Sequence, residues 1–442
     1  MKAHRIFSAL LFALALAPAA HAVDVKNVAF GKGREVWFVE DHTLPMISMV
    51  VSFPAGSGYD PDGKDGLAAF AADMLNEGAG KYDSTAYQTA LSDRAVRLGT
   101  DTGRDEMVVS LTTLTENAPE AFRLLGLALA HARFDQSAIE RVRGQILAGI
   151  EQSEEDPGTV AARGFYRAFF RKHPYAHSIT GERETVAAIG QTDLRAFAQS
   201  HWVKSGLKIA VAGDVDQAAL KPLLNQAFGA LPATVPAPVP PVGDVGAVGM
   251  HVIAMPVPQP NVVFGMVGML RSDPDFIPAY VANYILGGGG FSSRLTDQVR
   301  EKRGLTYDID TGLVPYRRAG LVLGQVASKR ESVRQAVQVI RDTMKDFAAN
   351  GPTDKELADA KTYLTGSWPL AFASDEGIAA QLNVFQNENL PMDYVDTRND
   401  LVNAVTADDV QRAAKRLYNP SKMTVVVAGS IGPQKTAPAH KR

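Results

Sequence analysis

The sequence predicts an α+β protein made of two homologous α/β-sandwich domains joined by a Pro-rich linker. Three observations predict it. The stretch TDLRAFAQSHWVKSGLKIAVAGD (residues 192–214) is matched by DDVQRAAKRLYNPSKMTVVVAGS (residues 408–430), with the aromatics Trp202 and Tyr418 and the two Ala-Gly pairs at one constant offset. Strand-like runs mix with paired helical segments instead of alternating strictly as β-α-β, the mark of an α+β sandwich. LPATVPAPVPPVGDVGAVG (residues 231–249) has the composition of an extended, semi-rigid connector. A chain of 442 residues is also too long for one ordinary core.

In chain order, MKAHRIFSALLFALALAPAAHA sets Lys2 and Arg5 before the apolar run Ile6 to Leu16 and ends in Ala20-His21-Ala22. This is the pattern of an export signal over residues 1–22, cut after about Ala22. The run is shorter than the ~20 residues a bilayer span needs, so a periplasmic chain with no membrane attachment after cleavage is expected. An N-terminal domain then covers 23–230, the linker 231–249 and a C-terminal domain 250–442. The strand-like runs MISMVVSFPAG and NVVFGMVGML each precede a helix, over 66–76 and 276–286. Further strands, EMVVSLTTL and LVLGQVAS, lead into paired helices at 119–131 with 137–152 and at 332–347 with 354–366. The pattern suggests helices on one face of each sheet, and two domains able to close around something.

Composition excludes several function classes. Hydrophobic content of 46% with 21% charged residues fits a globular chain, neither disordered nor a membrane bundle. A net charge of −3 provides no broad field for nucleic acid, although Arg294, Arg300, Lys302 and Arg303 could form a local patch. Cysteine is absent, which removes disulfides, thiolate metal sites and thiol nucleophiles. No Gly-x-Ser-x-Gly elbow is present.

The candidate chemistry lies in a few stretches. In GLAAFAADMLNEG (residues 66–78), Leu67, Phe70, Met74 and Leu75 form a core-facing stripe, while Ala69, Ala72 and Asp73 share another face. That i, i+3, i+4 spacing is how a helix converges two ligands and a base on one metal. Gly287 to Gly290 fit no phosphate loop, and a flexible turn is the simpler reading. In KHPYAHS, His173 and His177 stand four apart, but Pro174 breaks the helix that would align them. The acidic run EQSEEDP reads as a solvated helix end. Arg300 and Tyr307 flank a Gly-capped helix end and a strand start, a guanidinium and a phenol able to bind or polarise a carbonyl.

Together, residues 66–78, ERVRGQILAGIEQSEEDP, HPYAHSITGERETV, GGGGFSSRLTDQVREKRGLTYDI and the two Ala-Gly strands resemble the pitrilysin or insulinase family of zinc peptidases, near its mitochondrial-processing-peptidase branch. The resemblance spans about Val25 to Ile431. It implies an inverted zinc motif, His-x-x-Glu-His, whose histidine positions are here Ala69 and Asp73 and whose glutamate position is Ala72. The third ligand position falls at Gly149. A chain so altered is expected to bind no cofactor and hydrolyse nothing alone, since catalytic zinc needs about three protein donors and a group for water's proton. The family also carries an arginine and a tyrosine seven positions apart that hold the substrate, matched here by Arg300 and Tyr307. The expected role is therefore the non-catalytic subunit of a heterodimer, with zinc in the homologous partner and a peptide as substrate. The alternatives are an inert peptide-binding scaffold, or an enzyme with relocated ligands such as Asp73 with His173 or His177.

Overall fold

The computed structural model describes residues 23–31 and 35–432, so the expected export signal lies outside the described residues. The first half runs β1 (Lys26–Ala29), β2 (Glu35–Glu40), β3 (Met46–Phe53), α1 (Leu67–Asp73), α2 (Ser84–Ser92), β4 (Arg97–Thr102), β5 (Met107–Leu114), α3 (Ala118–Ala130), α4 (Gln136–Glu155), α5 (Pro157–Phe170), α6 (Arg183–Ala188), α7 (Gln191–His201), β6 (Lys208–Gly213) and α8 (Gln217–Phe228). The second runs β7 (Gly249–Ile253), β8 (Asn261–Val267), α9 (Phe276–Asn283), β9 (Thr306–Pro315), β10 (Gly320–Ser328), α10 (Val333–Asn350), α11 (Asp354–Gly366), α12 (Asp375–Asn387), α13 (Tyr394–Ala404), α14 (Ala407–Leu417) and β11 (Thr424–Ala428).

The two sheets have orders β1-β2-β6-β3-β5-β4 and β7-β11-β8-β10-β9. With β2 laid on β7, every strand but the extra β1 has a counterpart in the same place. The parallel pairs β2–β6 and β11–β7 also coincide. The repeated Ala-Gly pairs now have a cause. Gly213 and Gly429 end their strands at φ +129° and +136°, and a Cβ on Gly213 would sit 2.2 Å from the Met46 carbonyl oxygen. Only glycine adopts that backbone beside so close a neighbour.

The central strands of each sheet are buried on both faces, so the expectation of helices on one face is corrected. On the first sheet, Ile47, Met49, Val51, Ile209 and Val211 meet the helices of their own half. The alternate residues Trp37, Val39, Val50, Ala210 and Ala212 meet Ile378, Leu382 and Phe385 of α12, from the other half. The second sheet answers in kind: Val425 and Val427 face their own core, while Val263, Val426 and Ala428 pack on Phe165, Phe169 and Phe170 of α5. Strands covered on both sides need near-continuous apolar runs, which explains TVVVA and MISMVV. Polar anchors fix the exchange, since Asn383 Nδ2 on α12 donates to the Val50 and Lys208 carbonyls at 3.4 and 3.1 Å.

The Pro-rich connector takes part in this packing. The Pro-rich stretch is laid down along α5: Gly246 N donates to the Phe169 carbonyl at 2.8 Å, and Val239 is buried in the interface core. The halves form one block. No helix among the described residues is long and apolar enough to cross a membrane.

Candidate functional site: a cavity beside helix α1 and an arginine–tyrosine rim

Helix α1 begins at a tight crossing. The Asp60 carboxylate accepts from the Gly66 and Ala68 amides, each at 2.8 Å, capping the first turn. Burial pushes the Asp60 carboxyl well above its ordinary range, against the pull of those two donors. Leu67, Phe70, Ala71, Met74 and Leu75 then enter the core. Ala72 joins them at 2% exposure, while Ala69 and Asp73 turn toward a cavity. At about 100° per residue, Ala72 falls at the edge of the Ala69–Asp73 face, and without a polar group it is absorbed by the core.

That cavity has a volume of about 610 Å³ and brings Ala69, Asp73, Gly149 and His177 together. Gly149 lies mid-way along α4, and a Cβ there would meet nothing within 4 Å. The room a ligand side chain would fill is present; the donor atoms are not. Asp73 is the single donor among the four family positions, its carboxyl pushed up first by burial and then by Glu77. Glu77 is itself engaged by Ser84 Oγ at 2.6 Å and by Arg141. Among the described residues no group of three or more His, Asp or Glu could hold a metal ion.

Recruitment of His173 is ruled out by its bonding. Its Nε2 lies 3.0 Å from the Pro240 carbonyl, and its Nδ1 accepts from the Tyr175 amide at 3.1 Å. His177 does line the cavity with Asp73, but its Nδ1 faces Asp65 at 3.5 Å. The residues present do not fit a catalytic zinc.

Arg300 and Tyr307 are placed elsewhere, on the last strand of the second sheet and the turn before it. A π-helical turn over Thr296–Glu301 ends at Gly304, whose φ of +59° reverses the chain into β9. β9 pairs with β10 through Val326↔Ile309 and then Ser328↔Thr306, so β9 carries one extra residue there. This bulge turns two consecutive side chains, Tyr307 and Asp308, outward between the buried Thr306 and Ile309. Tyr307 is 73% exposed and Phe291 77%. The Arg300 guanidinium rests 4.6 Å from the Phe291 ring centre, with Glu301 at 3.5 Å from its Nε.

Neither Arg300 nor Tyr307 lines the cavity beside α1. Tyr316, at the far end of the β9–β10 hairpin, approaches that cavity's Tyr166 with ring centres 6.4 Å apart. Tyr307 is nine residues away along the chain from Tyr316, about 30 Å at strand rise. Within one chain the two candidate regions do not meet.

Other sequence candidates resolve differently. The glycine run is packed at its start, where a Cβ on Gly287 would lie 2.3 Å from Thr311 Oγ1, while Gly290 borders open space. Part of the basic group is neutralised, with Arg294 on Glu356 at 2.6 Å and Lys302 on Asp297 at 2.7 Å, while Arg303 bonds Gln298. Three cavity arginines escaped sequence reasoning: Arg104 at the β4–β5 turn, and Arg163 and Arg167 on α5. The spacing Thr159, Arg163, Arg167 on one helix face was the readable signal.

Comparisons with known proteins find relatives over most of the chain. Residues 35–183 match the model of the insulinase family, peptidase family M16, and residues 188–364 match the peptidase M16 inactive domain. The non-peptidase homolog YmxG of Helicobacter pylori is 26% identical over 401 residues, covering 89% of this chain and 91% of the relative. The mitochondrial-processing peptidase subunit beta of Blastocladiella emersonii is 23% identical over 413 residues, 90% of this chain and 86% of that one. A crystal structure of a peptidase M16 inactive domain from Pseudomonas fluorescens superposes with a TM-score of 0.88 at 30% identity, covering 93% of this chain and 100% of that one.

Proposed function

Because the chain belongs to the insulinase family, peptidase family M16, we propose that it is the non-catalytic subunit of a heterodimer whose homologous partner holds the zinc. It is an inactive member of that family, since Ala69, Ala72 and Gly149 offer no donor atoms and no base. The partner supplies the metal and the activated water. This chain closes the chamber and presents Arg300 and Tyr307 to the carbonyl of a peptide substrate. Donors aimed at a developing oxyanion are worth about 10²–10³ in rate, so a metal-free subunit can be essential to turnover. The assembly works in the periplasm, after removal of residues 1–22.

The observation that carries this reading is the bulge at Tyr307. It holds the Tyr307 phenol outward, seven residues after Arg300 and about 30 Å of strand from Tyr316 near the cavity of the same chain. Such a pair serves a site completed by another molecule. Co-purification from the native host, then peptidase assays of each chain alone and of the mixture, tests it. Activity is expected only in the mixture. Chelator-sensitive hydrolysis by this chain alone overturns it.

A second reading, an inert peptide-binding protein, is favoured by the open cavity beside α1. It leaves the outward Arg300 and Tyr307 without a task.

A further inference from the structure

The cavity beside α1 has lost the character of a cation site and taken on the opposite one. Its lining carries three guanidiniums, Arg104, Arg163 and Arg167, and the His177 imidazole, against the single carboxylate of Asp73. Arg167 is compensated by Glu182 at 2.5 Å. Arg104 and Arg163 are not: among the described residues neither has a carboxylate within the 4.0 Å reach of an ion pair.

Arg104 is the more telling of the two, because it is only 8% exposed. Its Nε donates to the Tyr175 carbonyl at 2.9 Å, and its guanidinium lies 3.6 Å from the centre of the Tyr166 ring. Nη1 reaches only the Tyr316 hydroxyl, at 3.5 Å. The adjacent Asp105 is directed away, accepting from the Tyr175 hydroxyl and from the Arg317 amide at 2.9 Å. Arg163 donates to Ser153 Oγ at 2.6 Å. His177 Nδ1 is buried and makes no hydrogen bond, with the Asp65 carboxylate 3.5 Å away. A buried charge without a counter-charge costs several kcal/mol, and a bound anion removes that cost. Ile146, Ile150, Ala162 and Ile179 give the wall an apolar stretch, between polar groups such as Gln145 and Thr159.

We propose that this cavity binds the carboxylate of an organic acid with an apolar body, held by Arg104 and Arg163, the free C-terminus of a short peptide being the source its size suits. The planar fork of a guanidinium matches a carboxylate oxygen pair. A volume of about 610 Å³ lies within the ~300–1,000 Å³ of small-ligand sites. Binding requires neither a partner chain nor any reaction.

Calorimetric titration of the mature chain alone tests it with three probes: a leucine-terminated tripeptide acid, its C-terminal amide, and 4-methylpentanoate. The tripeptide acid is expected to bind at least about tenfold more tightly than the amide, the worth of one charge-assisted hydrogen bond. If 4-methylpentanoate matches the tripeptide, the site belongs to free organic acids; if it binds more weakly, to peptide termini. Gly149→Glu places a carboxylate in open space on a helix that tolerates it, and should cut the acid's affinity at least about tenfold with Tm maintained. Arg163→Gln should weaken binding without unfolding the chain. No binding of either acid at about 10 mM, equal binding of acid and amide, or undiminished binding by Gly149→Glu overturns the proposal. None of these readouts involves peptidase activity, so the result is independent of the heterodimer.

Discussion

The cavity beside α1 and the rim at Tyr307 stand on sheets of the same strand order, yet they place polarity in opposite directions. In the first half, the polar groups that remain face inward, and the two uncompensated guanidiniums give the space a cationic lining. In the second, a one-residue bulge throws a phenol outward beside an arginine propped on Phe291. The difference teaches that one strand order can frame an inward-facing space or an outward-facing rim. Ala69 and Gly149 border open space, whereas Ala72 lies in the core.

The comparison presumes that the two halves hold each other, and the largest expected effect attacks that premise. Phe385→Ala on α12 removes a ring stacked 5.8 Å from Trp368 and set edge-on 5.2 Å from Tyr394. A loss of about 3–5 kcal/mol is expected, and calorimetry should show one transition moving as a whole. Two separated transitions would break the premise. Next comes the rim: Tyr307→Phe and Arg300→Ala should each lower turnover of the assembled peptidase about 10²–10³-fold, while its zinc content stays unchanged. Stability should shift by less than about 0.5 kcal/mol, as befits side chains outside the core. Full activity in both variants would remove the contrast between the two regions.

A third effect lies at the joint between the halves. Burial pushes the Glu106 carboxyl from an ordinary 4.5 up to about 7, with Arg317 at 3.5 Å opposing the rise. A raised carboxyl pKa means the folded chain binds the proton more tightly than the unfolded one. Stability from this group is therefore full below about pH 4.5, falls as pH rises to about 7, and is flat above. Glu106→Gln should flatten that decline, by up to about 3 kcal/mol, in denaturant melts across the window. The smallest effect returns to the emptied site. Gly149→Ala, in mid-helix with no neighbour to strike, should stabilise by about 0.5–1 kcal/mol, read as a rise in Tm; a loss would mean the cavity is tighter there than its shape says.

Much of the frame was legible in the sequence because it rests on local signals. The aromatics Trp202 and Tyr418 and the two Ala-Gly pairs marked the duplication, and helices α10 and α11 followed their apolar period closely. The exchange of α5 and α12 was not legible. PGTVAARGFYRAFF and DEGIAAQLNVFQN read as ordinary amphipathic helices, and nothing local says which sheet they cover. The identities of Ala69, Ala72 and Gly149 were legible residue by residue. The cationic lining was not, because Arg104 stands alone in a hairpin turn and acquires meaning only beside Tyr166 and Arg163, which are distant in sequence. Tyr307's outward aim likewise depends on a register shift that no pattern of two can announce.

The swapped helices have a consequence for the continuity of the polypeptide itself. Residues around Val235 are exposed, in a stretch free of helix and strand. A protease that nicked the strap there would yield two fragments, each clasping the other by a helix, and the cut particle should migrate as one until denatured. Covalent linkage across that point serves to deliver both fragments in equal number, not to keep them together.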